Sequence, residues 1–160
     1  MIHVFVLSPL KEVWEKIDSL QMNPMIRFTR WTREMSISEI SNGDLPCSPI
    51  LLIDDTAMDN AELETFLHQL RANDSNILVG YLVSYGKESR ASQLMRARLI
   101  HFFMQRRFHA SLLISELFAV VHQQVSFSAS LQELLELALD HNCGPVAEKI
   151  AEIKQLLSKK

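Results

Sequence analysis

The stretch PILLIDDTAMDN, residues 49–60, carries four consecutive aliphatic residues and then two adjacent aspartates. An apolar run without alternation describes a strand covered on both faces, as in a parallel sheet flanked by helices. Its abrupt polar end poses a question. Asp54 and Asp55 are either chemically active carboxylates at the carboxyl end of such a strand or only the start of a loop.

Working outward, short β-type runs alternate with amphipathic ones through the first 121 residues. Runs rich in Ile, Val, Leu and Phe place strands at 2–7, 25–31, 50–53, 77–83 and 100–104. Helical periods fall at 10–20, weakly at 36–41, and at 61–70, 89–98 and 110–121. Loop chemistry agrees: Ser8-Pro9 precedes the first helix, Asn42-Gly43 and Pro46 follow the second, and Asn73 to Asn76 separate the third from strand four. The expected fold is α/β, a (βα)5 doubly wound parallel sheet of five strands.

From Ser126 the pattern is helical only. Ser130-Leu-Gln-Glu133 matches a capping box and predicts a helix start. Gly144-Pro145 separates that helix from a second. Leu131, Leu134 and Leu135 on one helix and Val146, Ile150, Ile153 and Leu157 on the other form narrow stripes suited to packing or a dimer seam. The division is therefore residues 1–121 as the α/β domain and 122–160 as a C-terminal helical hairpin.

Composition narrows the function classes. At 160 residues and 48% hydrophobic, the chain has room for one ordinary domain and an appendage. The net charge of -3 gives no reason for whole-surface binding to nucleic acid. Cys47 and Cys143 lack CxxC spacing, which fits a reducing, cytoplasmic setting. No basic leader precedes MIHVFVLSP, and no run approaches the roughly 18 apolar residues of a membrane span, so no membrane insertion is expected. The six histidines show no HxxxH or HExxH spacing, and His141 with Cys143 is an isolated pair, so no metal is expected. Neither a dinucleotide fingerprint nor a Walker loop occurs, so no cofactor is expected either.

In a doubly wound sheet, chemistry gathers at the carboxyl ends of the strands. Those ends are Ser8-Pro9, Asp54-Asp55, Ser84-Tyr85 and Gln105-Arg106-Arg107. Their order and spacing resemble the receiver domains of bacterial response regulators over about residues 1–121. The resemblance implies the flavodoxin-like receiver topology. It also implies a phosphoacceptor at Asp54, a hydroxyl at Ser84, a basic residue at Arg106 and an aromatic switch position at Phe103.

Two departures qualify that resemblance. Receivers hold Mg²⁺ with an acidic pair after the first strand, where this chain has Ser8-Pro9. Arg106 stands in place of lysine and offers a planar fork that can clamp carboxylates. Arg106 is therefore expected to pair with Asp54, while strand alternation turns Asp55 the opposite way. The resemblance thus implies a pseudo-receiver: a non-catalytic protein-interaction or dimerisation module in signalling, independent of aspartyl phosphorylation.

The resemblance also implies that the fourth-to-fifth-helix face, which carries Arg90, Arg96, Arg98 and Arg107, is the surface for a protein partner or homodimer. A working phospho-receiver with phosphoacceptor Asp54 is the first alternative. A DNA-binding regulator using the tail or the Arg-rich face is the second. A small α/β enzyme finds no nucleophile, base and orienting group at the strand ends.

Overall fold

A computed structural model describes residues 1–41, 48–74, 76–140 and 144–158. The elements run β1 (Ile2–Leu7), α1 (Lys11–Leu20), β2 (Ile26–Arg30), α2 (Ile37–Ser41), β3 (Ile50–Asp54), α3 (Asn60–Asn73), β4 (Leu78–Val83), α4 (Glu88–Arg96), β5 (Phe102–Gln105), α5 (Ala110–Asp140) and α6 (Gly144–Ser158). The strands form one parallel sheet in the order β2-β1-β3-β4-β5. That is the flavodoxin-like order shared by receivers, with the switch point beside β1 and β3.

Burial follows position in the sheet. The central strands β3 and β4 are buried at every residue, whereas β2 at the edge alternates and exposes Arg27 and Arg30. Successive side chains feed two separate cores, as the strand period of two requires. Val4, Val6, Ile50, Leu52 and Leu82 pack under α1 and α5 with Val13, Ile17, Leu113 and Leu117. Phe5, Leu51, Ile53, Val79 and Tyr81 pack under α2, α3 and α4 with Ile40, Leu67 and Leu94. Gly80 is required by Phe102 on the neighbouring strand, because a Cβ there would stand 2.7 Å from Phe102 Cε1.

Local chemistry sets the helix ends. Asp59 accepts from the Glu62 amide at 2.8 Å while Glu62 reaches back to the Asp59 amide, so α3 opens on a capping box. Arg98 closes α4 with φ +58, its amide bonding the Met95 carbonyl and that of Leu99 bonding Leu94, the Schellman pattern.

The strand and helix order agrees with the expected one, and the C-terminal hairpin is present as the distal part of α5 with α6. Two expectations need correction. Ser130 opens no helix, because α5 is one helix of 31 residues with no Gly or Pro between positions 110 and 140 to interrupt it. By length and composition α5 also suffices to cross a membrane over Ala110–Leu137, contrary to the reading that no run approaches a span. Its first turns lie on the sheet through Leu113, Leu117 and Val120. Asn42, Gly43, Pro46, Cys47, Ser75, His141 and Cys143 fall outside the described residues, as does the side chain of Leu157.

Candidate functional site at the carboxyl ends of the strands

The register of the sheet brings three separated segments to one place. Asp54 lies opposite Leu82 and Val83 opposite Gln105, so the residues that follow β3, β4 and β5 share a single rim. There Asp54, Asp55, Ser84 and Arg106 form one bonded cluster.

Asp54 ends β3 with its side chain wholly enclosed. Oδ1 accepts from the Thr56 amide at 2.9 Å and from Thr56 Oγ1 at 2.6 Å. Oδ2 accepts from Arg106 Nε at 3.1 Å. Both oxygens of the carboxylate are thus engaged by groups held on its own turn and on the strand-five end.

Asp55 does not turn away as the alternation had suggested. The strand stops at Asp54, where Ala57 N–H bonds the Asp54 carbonyl and begins a turn, while Asp55 N–H bonds Leu82 O at 2.9 Å. With the pleat ended, the Asp55 side chain swings over the rim. Oδ2 accepts from the Ser84 amide at 2.8 Å, and Oδ1 accepts from Arg106 Nη2. Arg106 Nη2 also donates to Ser84 Oγ at 2.7 Å. The guanidinium therefore spans both carboxylates and the hydroxyl, a geometry its planar fork allows and an ammonium does not.

The charges are mutually stabilised. Burial alone would raise the Asp55 carboxyl, but the Ser84 amide and hydroxyl and the Arg106 charge together hold it below the usual carboxylate range. Burial opposes the Arg106 charge, yet Asp54 and Asp55 raise it above its ordinary value. Beneath the cluster, Tyr81 is pushed up to about 12, by burial first and the Asp55 charge second. It is a neutral phenol.

The opposite wall is Ser8. Its Oγ accepts from the Leu10 amide at 3.2 Å and its carbonyl accepts Trp14 Nε1 at 2.9 Å. Arg30 lies over the Trp14 ring at 4.4 Å, so the end of β1 is closed by an indole and a guanidinium rather than by acids. The divalent cation implied by the receiver resemblance does not fit this donor set. Asp54 and Asp55 are the only carboxylates in the described cluster, and both already face a cation; no group of three or more His, Cys, Asp or Glu suited to a metal occurs among the described residues.

The remaining expected residues lie outside this cluster. Phe103 is half-buried against the α3 and α4 core. Arg96, Arg98 and Arg107 are exposed, but Arg90 is not part of a free basic face: it bonds Glu64 of α3 at 2.9 Å. Leu131, Leu135 and Ile150 are half-buried, whereas Leu134, Val146 and Ile153 remain exposed. Sequence reasoning missed Thr56, although a Thr two residues after an Asp is a recognisable turn signal. It also missed the closing role of Trp14 and Arg30, which no local pattern announces.

No protein-family model matches the chain, and no curated protein matches it. Among solved structures, the chain is similar to one described as "Crystal structure of master biofilm regulator CsgD regulatory domain". The identity is 17% and the TM-score 0.39, over 72% of this chain and 99% of that one. The fold assignment rests on the strand order itself.

Proposed function

We propose that the chain is a receiver-like regulatory module in which a fixed arginine clamp stands where a phosphorylation switch would be. The observation that carries this reading is the Arg106 guanidinium, bonded at once to Asp54, Asp55 and Ser84. An aspartate can attack a phosphoryl group only if it is reachable, aligned and assisted by charge stabilisation. Asp54 is enclosed, both its oxygens are occupied, and the acidic pair that would recruit Mg²⁺ is replaced by Ser8-Pro9. The site is electrostatically complete without a ligand.

On this reading the module acts by protein contact, non-catalytically, in a cytoplasmic regulatory setting. Residues 1–121 supply the receiver-like body and 122–160 the extension, with a partner meeting the exposed Arg96, Arg98 and Arg107 or the helical tail. Incubation with acetyl phosphate and Mg²⁺ tests the clamp. Absence of an acyl phosphate, labile to base and to hydroxylamine, on Asp54 supports the reading, and stoichiometric labelling refutes it.

A further inference from the structure

A groove separate from the strand-end cluster lies between the end of β2 and α3. Trp31 and Arg33, which follow β2, line it with Met58 of the β3–α3 turn and Ala61, Glu62 and Phe66 of α3. Its volume is about 490 Å³. Small-molecule sites run from roughly 300 to 1,000 Å³. The local fold accounts for the walls: the Trp31 amide bonds the Val6 carbonyl at 3.0 Å, just past the last residue of β2, and seats the indole 5.5 Å from the Phe66 ring. Glu62 and Phe66, four apart on α3, share the helix face that closes the other side.

Two polar features of the groove ask for a group that the chain does not supply. Trp31 is 2% exposed, and its enclosed Nε1 has no hydrogen-bond partner among the described residues. Enclosed donors are nearly always paired, so this one points to an outside acceptor. At the mouth, Arg33 Nη2 meets Glu62 Oε2 at 3.1 Å with both side chains about half exposed. A guanidinium carries five N–H donors, and one carboxylate oxygen leaves others open. The groove therefore combines an apolar wall with surplus N–H donors, the complement of a flat apolar body bearing an anionic acceptor.

The apolar wall is also confined. Trp31 and Met58 are buried and Phe66 half-buried, while the neighbouring exposed positions on α3, Glu64, His68 and Gln69, are polar. A docked helix needs apolar anchors repeated over two turns or more, which this surface lacks. We propose that the groove binds a small planar aromatic carboxylate, its ring against Trp31 and Phe66 and its carboxylate accepting from Arg33 and Trp31 Nε1. This goes beyond the protein-contact role and does not depend on the Asp54 clamp.

Titration of the full ¹⁵N-labelled chain with naphthoate, followed at the indole N–H resonances, tests this. The chain has two tryptophans, and Trp14 Nε1 already donates to Ser8, so Trp14→Phe identifies the Trp31 signal. The Trp31 N–H is expected to move downfield and to saturate in the submillimolar range. Naphthylmethanol, the same rings without the charge, is expected to bind at least tenfold more weakly, as is naphthoate to Arg33→Gln. Glu62→Gln removes the competitor for Arg33 while keeping a residue suited to the capping box, so it is expected to tighten naphthoate binding. Arg30→Gln makes the same charge change beside Trp14 and is expected to leave binding unchanged. A Trp31 signal that does not move into the millimolar range overturns the proposal. So does equal affinity for the alcohol, or a loss as large in Arg30→Gln as in Arg33→Gln.

Discussion

Arg106 Nε donates to Asp54 Oδ2 at 3.1 Å across 52 positions of sequence, joining the ends of β3 and β5 at the rim of the sheet. Because Asp54 is enclosed and Arg106 is 18% exposed at its side chain, the pair lies in a setting where removing one partner strands the other.

Arg106→Ala leaves two adjacent carboxylates facing each other without a cation. A stability loss of about 3–5 kcal/mol is expected, read from the urea midpoint. Asp55→Asn in the same background should restore part of it. The freed carboxylates also make a divalent site, so Mg²⁺ should raise the Tm of Arg106→Ala and leave that of the wild type unmoved.

Thr56→Val removes the hydroxyl bonded to Asp54 Oδ1 at 2.6 Å while keeping the shape of the side chain. Chemical denaturation should show a loss of roughly 1–3 kcal/mol, the worth of one hydrogen bond to a charged acceptor, while Oδ1 keeps the Thr56 amide as a donor. An unchanged midpoint would show that the hydroxyl does not support the carboxylate.

His101 gives the chain an acid limit. Its Nδ1 accepts from the Val79 amide at 2.9 Å and faces Arg71 Nη2 at 3.2 Å, so the network places the ring proton on Nε2. Burial, then the Arg71 charge, push the folded pKa down to about 4 from 6.5. The unfolded chain therefore binds the proton first, and stability present in full above about 6.5 falls as pH drops toward 4. On the order of 3 kcal/mol is at stake over that window, measurable as the urea midpoint against pH. Asp55, whose folded pKa is depressed, adds loss of the same sign only as pH falls through and below the ordinary carboxylate range.

Arg98→Gly should stabilise the chain by about 1 kcal/mol, because the left-handed conformation at φ +58 costs a side-chain-bearing residue and not glycine. Gly80→Ala should act in the opposite sense, since the Phe102 ring occupies the place of the added methyl. Thermal melts of the two variants give the comparison.

How legible these features were in the sequence depends on their range. Ile50 to Ile53 announced a buried parallel strand because continuous aliphatic residues have few other uses at that length. Asp54 and Arg106 were legible as partners through the receiver resemblance, whose order and spacing put both at strand ends that converge in this topology. Asp55 was misread because alternation holds only while the strand lasts, and the turn at Ala57 ends it. Ser130 was misread for the converse reason: a capping sequence has no force inside a helix that nothing interrupts. The Trp14 and Arg30 closure over Ser8 depends on tertiary packing between α1 and β2, which leaves no local pattern.

The central claim is that Arg106 occupies the place of a phosphorylation switch, and intact-mass spectrometry of the wild-type chain after acetyl phosphate and Mg²⁺ tests it most directly. The account predicts an unshifted mass. A shift of one phosphate, mapped to Asp54 and lost in Asp54→Asn, would contradict it.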